Sequence, residues 1–344
     1  MSGTALPRSQ LEASQDTCSN VSMLKTSRRA LLKSAAVLAA PAIARADTWP
    51  SRPIRCIVAL PPGGGTDSTG RLAMQALSEA LGVAVVVENK AGAGGTIGSD
   101  IVAKAAPDGY TLGIATSSSH AAAPVFRKDL PYDPVKSFTA VTLLGTTSYI
   151  LIGGPAAGAK DLKTLIANIR ANPGKVTCAS LGPSTLGYLL TRQFELNLGL
   201  DMIDTPYKGA SQVYPDLMNG TVAVMLDNPS GSAGLVREGV LTGFAVTRPS
   251  TAVPKVPTFD SLGVKGFEEV FWYGVVAPPG LPPEIADRVQ KILAKAFLAD
   301  PGREKMRALD VEPVMSTPQQ FASTMANDTR RWKALADKLG LKPE

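Results

Sequence analysis

The period of the hydrophobic positions changes repeatedly along the chain. Residues 54–60, IRCIVAL, form an apolar run of the kind a buried strand carries. Residues 66–81 then place Leu72, Ala76, Leu77, Ala80 and Leu81 on one helical face, with Thr66 or Asp67 positioned as the cap. VAVVVEN (83–89) returns to strand character, a glycine loop leads to a helix near residues 97–105, and YTLGIAT (110–116) is a third strand. That alternation predicts a parallel sheet with helices on its faces.

The same grammar restarts near residue 150. A helix over residues 161–172 stops at Pro173-Gly174. Strands at 175–180, 202–207 and 221–228 each pass through a short loop into a helix, and LTGFAVT (241–247) ends the series. After a proline-rich stretch at 249–257, residues 271–280 read as strand plus turn, and helices follow at 283–298 and 319–339. No strand pattern of the second unit accompanies those helices, so they are expected to return to the first. The predicted fold is α/β with two lobes, each a mainly parallel sheet flanked by helices. Lobe 1 is discontinuous (47–148 and 251–344) and lobe 2 spans 149–250, with a hinged cleft between them.

The N-terminal segment belongs to neither lobe. SRRALLK (27–33) precedes the small apolar run SAAVLAAPAIA and then Arg45-Ala46. This is the pattern of a twin-arginine signal peptide, residues 1–46, cut after Ala46 for export to the periplasm. Its apolar run is well short of the roughly 20 residues that span a membrane. Removing its six basic and two acidic residues from the chain's 35 and 29 lowers the net charge from +6 to +2. The basic balance therefore implies no nucleic-acid partner, and no Lys/Arg stripe interleaved with aromatics exists to supply one. Cys18 leaves with the signal, while Cys56 and Cys178 sit in apolar strand runs and are expected as buried free thiols. One histidine, His120, and no close Cys/His spacing leave no ligand set for a transition metal.

Candidate chemistry lies in the strand-to-helix loops, where helix N-termini direct free amides at small anions. These are Pro62, Gly63, Gly64, Gly65, Thr66 and Asp67; Ser117, Ser118, Ser119 and His120; Ser180, Gly182, Pro183, Ser184 and Thr185; Tyr207, Lys208 and Gly209; and Asp227 with Asn228. Asp67 either caps its helix or faces a ligand amino group. Lys208 either opposes a second ligand carboxylate or is a surface lysine, and Tyr188 and Tyr207 either wall the cleft or pack in the core. Nucleotide binding fits poorly: GGGTDS lacks the Gly-Lys-Ser/Thr ending of a Walker loop and the third glycine of a dinucleotide fingerprint, and GAGGTIG (92–98) has the looser spacing G-x-G-x-x-x-G. Hydrolysis fits no better, because GPSTLG around Ser184 is one residue too long for a nucleophile elbow and any triad would need His120.

WPSRPIRCIVALPPGGGTDSTGR, VVVENKAGAGGTIGSDIVAKAAPDGYTLGIATSS, LPYDPVKSF, TPYKGASQ, VPTFDSLG and YGVVAPPGLP resemble successive blocks of the Bug family from Trp49 onward. Bug proteins are the extracytoplasmic solute-binding receptors of tripartite tricarboxylate transporters. The resemblance implies a type II-like Venus-flytrap fold that closes on a small carboxylate: a di- or tricarboxylate, an acidic amino acid or an aromatic acid. It implies delivery to membrane permease subunits, a monomer, no cofactor and no catalysis. Amides and ordered water of Pro62 to Asp67 and of Ser180 to Thr185 would hold the ligand. A sensor-kinase partner in place of the permease, or an exported enzyme using His120, are the alternatives. The chain departs from the family at Leu60, where an aromatic residue usually precedes Pro-Pro. It departs again at Ser184, Thr185 and Tyr188, where a glycine, a serine and a histidine are usual.

Overall fold

The computed structural model describes residues 49–268, 270–338 and 340–343. The expected export signal and its cut after Ala46 lie outside them. Eleven strands are present among the described residues: β1 (Ile54–Val58), β2 (Val85–Asn89), β3 (Thr111–Thr116), β4 (Thr139–Thr147), β5 (Ile150–Gly153), β6 (Thr177–Ser180), β7 (Ile203–Pro206), β8 (Val224–Asp227), β9 (Thr242–Val246), β10 (Phe271–Ala277) and β11 (Glu312–Pro313). The helices are α1 (Gly65–Leu81), α2 (Thr96–Ala103), α3 (Ala123–Phe126), α4 (Leu162–Ala171), α5 (Leu186–Leu198), α6 (Ala210–Asn219), α7 (Pro229–Arg237), α8 (Pro283–Phe297), α9 (Gly302–Ala308) and α10 (Pro318–Lys338).

Two sheets form, in the orders β11-β4-β10-β3-β1-β2 and β7-β6-β8-β5-β9. They share one plan. β2, β1 and β3 run parallel, as do β7, β6 and β8. One strand arriving from the other sheet then inserts antiparallel, β10 between β3 and β4 and β5 between β8 and β9. Each sheet is therefore mixed, with most strands pointing one way. The carboxyl ends of the parallel strands, and the helix N-termini after them, converge on the gap between the sheets.

Burial follows the sequence pattern. All six residues of β3 are buried, as a strand covered on both faces requires. On α8 the buried positions are Ile285, Ala286, Val289, Leu293 and Phe297, one helical stripe. α8 and α10 pack on the first sheet at β4, and Phe321 of α10 meets Trp272 of β10 edge-on at 5.3 Å. Asp328 accepts a hydrogen bond from Trp272 Nε1 at 2.7 Å, so a buried indole is satisfied from the C-terminal helix. Cys56 and Cys178 are free and buried, and burial pushes each thiol up to about 12.

The chain crosses between the sheets twice, at Ser148-Tyr149 and again between β9 and β10. The crossings are tied to each other: Tyr149 N donates to Thr247 Oγ1 at 2.9 Å, and Thr247 N to Tyr149 O at 2.8 Å. Asp310 accepts from Thr147 Oγ1 at 3.1 Å, from Ser148 Oγ at 2.7 Å and from Ser250 Oγ, so one buried carboxylate clasps both.

Candidate functional site

The PPGGGTD stretch is the turn from β1 into α1. Gly64 is the N-cap of α1 and no side chain caps the helix. Asp67, in its first turn, is engaged elsewhere. Its carboxylate accepts from Gly63 N at 3.0 Å, Arg71 Nε at 3.0 Å and Asn89 Nδ2 at 2.8 Å. Asn89 also donates to Leu60 O at 2.9 Å. Burial opposes ionisation of Asp67, but the bonds from Arg71, Asn89 and Gly63 outweigh it and hold the carboxyl below its ordinary value. Asp67 is thus a brace for the loop, and α1 opens with its first amides directed out of the turn.

Across the gap this turn meets the turns after β7 and β8, and the loops after β2 and β3 meet the turn from β6 into α5. Thr185 caps that helix, accepting from Tyr188 N at 3.4 Å while its hydroxyl donates to Gly182 O at 2.8 Å. The first amide of α5, Leu186 N, donates to Ser118 Oγ at 3.2 Å, a bond from one lobe to the other. Other loops touch directly. A Cβ added at Gly94 would lie 2.7 Å from Ser184 Oγ, one at Gly65 would lie 2.8 Å from Ser230 Cβ, and one at Gly209 would lie 2.5 Å from Pro61. The lobes meet at these contacts because glycine leaves the space.

Between the contacts lies a cavity of about 40 Å³. Of the residues proposed from sequence, Leu60, Thr66, Ser118, Ser180, Thr185, Asp227 and Asn228 line it, drawn from both lobes. Leu181, inside the expected Ser180–Thr185 loop, also lines it, as do Gly94, Tyr149, Gly187, Met225, Leu226 and Phe271, which were not foreseen. Tyr149 and Phe271 pack edge-on at 5.8 Å beside the crossings and form the back wall. Met225 and Leu226 precede Asp227 on β8, and a buried strand end was a visible signal for them. Tyr149 and Phe271 sit beside the crossings, and the second of these was expected about 20 residues earlier in the chain. Asp227 is buried, and among the described residues no cation is bonded to it. Burial lifts its carboxyl to about 6, while hydrogen bonds from Tyr214 and the start of α7 pull the other way.

The other proposed residues lie around or away from this cavity. Ser184 and Gly209 form the cross-lobe contacts, and the Gly63–Gly65 turn carries the open helix end. Gly182 and Pro183 belong to the turn before α5. Ser117, Ser119 and His120 are buried. His120 packs 4.5 Å from Phe138 and 5.9 Å from Tyr132, with Nδ1 2.9 Å from Ser119 Oγ, and burial lowers it to about 3. It is a core histidine. Tyr207 turns its hydroxyl to Asp216 at 2.6 Å, Tyr188 lies against Arg192, and Lys208 is exposed. Among the described residues, no Lys or Arg lines the cavity. Larger hollows exist, one of about 250 Å³ at the crossings beside Arg248 and Asp310, but no helix-opening glycine turn converges there.

Two α/β lobes, joined by two tied crossings around a cleft of helix ends, define a two-lobed binding protein of the periplasmic type. The description "Tripartite tricarboxylate transporter family receptor" matches residues 69–341, and the chain belongs to that family. Protein BugT of Bordetella pertussis is 35% identical over 300 residues, covering 86% of this chain and 92% of BugT. Among solved structures, Rpa4515 of R. palustris with adipate is 30% identical with a TM-score of 0.83, covering 86% of this chain and 100% of that one. MatC from Rhodopseudomonas palustris with bound malate is 28% identical with a TM-score of 0.78, covering 83% and 99%.

Proposed function

We propose that the protein is an exported periplasmic receptor that captures a small carboxylate in the cleft and presents it to the permease subunits of a tripartite tricarboxylate-type transporter. Lobe 2 runs from residue 149 past the expected boundary at 250, because Thr258 bridges to Val246, and Phe259 and Phe267 pack on Phe194; lobe 1 comprises the residues before 149 and those from β10 onward. The observation that carries the reading is the open N-terminus of α1 in a cleft with no cationic side chain along its described wall. Backbone amides and the helix dipole there neutralise one carboxylate. The opposite lobe then adds contacts that only the closed arrangement makes, so binding favours closure. Adipate and malate in related structures support the ligand class.

The test is thermal unfolding of the purified protein with benzoate, adipate, malate and citrate, each against its amide. A ligand at about 100 times its Kd adds roughly 2.7 kcal/mol, a shift of a few degrees for a chain of this size. A shift with at least one acid and none with its amide supports the reading. Equal shifts with acid and amide, or none with any acid, remove it.

A further inference from the structure

The walls of the cleft divide by chemistry. Leu60, Leu181, Met225, Leu226, Tyr149 and Phe271 present an apolar surface drawn from both lobes and the crossings. Five of the polar side chains among them, Ser118, Ser180, Thr185, Asn228 and Asp227, are already engaged within the protein. Ser118 Oγ accepts from Leu186 N at 3.2 Å, and Ser180 Oγ accepts from Gly182 N at 3.1 Å. Thr185 holds Gly182 O and Tyr188 N, and Asn228 Nδ2 donates to Ser148 O at 3.4 Å. Asp227 receives the Tyr214 hydroxyl at 2.9 Å. A ligand bearing several hydroxyls would lose their hydration and find few free partners, and each unpaired polar group buried this way is costly. A tricarboxylate would in addition bring charge towards the cation-free Asp227.

We propose that the carboxylate this cleft selects has an apolar body, an aromatic ring or an unsubstituted aliphatic chain, and that hydroxylated or tribasic acids are discriminated against. The proposal rests on the carboxylate-receptor reading above and narrows it. Recognition divides between the anionic end, held at α1, and the body, desolvated against the six apolar side chains. Leu60 and Leu181 are half-buried and set the selectivity from opposite lobes.

Calorimetric titration of the protein with benzoate, adipate, malate and citrate tests this, repeated on Leu181→Ser. The apolar-bodied acids should bind at least about tenfold more tightly than malate and citrate. Leu181→Ser should weaken benzoate and adipate by about tenfold while leaving malate within about twofold, since burying one aliphatic side chain is worth that much. Malate or citrate binding as tightly as both apolar acids would overturn the inference and leave the carboxylate reading standing. An equal loss for all ligands in Leu181→Ser would overturn it as well, by making the residue structural. Binding of none of the four acids would take away the receptor reading on which the inference rests.

Discussion

Two buried ionisable groups of this protein pull its stability in opposite directions. Asp227, lifted to about 6 by burial, holds its proton in the folded chain where an unfolded aspartate has lost it. Its contribution is full below about pH 4 and falls as pH rises to about 6. His120, lowered to about 3 by burial, stays neutral in the folded chain where an unfolded histidine is charged. Its contribution is full above about pH 6.5 and falls as pH drops. Between about pH 4 and 6 the two slopes largely cancel. Asp227→Asn keeps an acceptor for the Tyr214 hydroxyl and removes one of them. Relative to the parent, its stability should rise with pH by about 1.4 kcal/mol per unit across that window, read from urea melts at several pH values. A constant offset between the two proteins would show that Asp227 is ionised throughout.

At the scale of elements, the hinge concentrates polar chemistry on Asp310. The residue adopts a left-handed φ of 59°, a conformation Asn shares readily and Ala does not. Three hydroxyls from the two crossings converge on its carboxylate. Asp310→Asn should cost about 1–2 kcal/mol by removing charge-assisted bonds at unchanged backbone, and Asp310→Ala about 1 kcal/mol more. Glu312→Gln, which breaks only the exposed pair with Arg307, should stay within about 0.5 kcal/mol. Urea unfolding of the three variants decides it, and equal effects of Asp310→Asn and Glu312→Gln would dismiss the clasp.

How much of these elements was legible in the sequence follows from the same physics. Strands such as β1 and β3 and the stripe on α8 emerged within a few residues, because burial on a fixed face imposes a period. The stretch 139–153 is two strands separated only by Ser148-Tyr149. The lobe boundary expected at residues 148 and 149 falls on this crossing, although the chain changes sheets there without a turn residue to punctuate it. The glycine turns that open helices were legible, since amide geometry is local. The back wall of Tyr149 and Phe271 was not, because it joins residues 122 positions apart through sheet pairing. His120, proposed for the cleft, lies in the core against Phe138 and Tyr132, and Asp67, left open between cap and ligand partner, braces its own turn through Gly63, Arg71 and Asn89.

For the whole molecule, the decisive question is whether the direct contacts between lobes form the gate that a ligand must pass. Gly94 and Ser184 are the most direct place to ask it. A Cβ added at Gly94 lies 3.8 Å from Ser184 Cβ, about the separation a disulfide takes. Gly94→Cys with Ser184→Cys should therefore form a bridge on oxidation that holds the lobes together. Among the described residues the native thiols would not compete, since Cys56 and Cys178 are buried and raised to about 12. Gly94 has a φ of 65°, so the substitution itself costs about 1–3 kcal/mol, and the reduced double variant is the proper reference. Ligand added after oxidation should leave the unfolding temperature unchanged, and ligand added before oxidation should survive dialysis. Reduction should restore exchange in both cases. Exchange in the oxidised protein at the reduced rate would mean that ligand enters without separating these loops. The cleft would then work as a fixed pocket, with the tied crossings serving as a joint only between rigid halves.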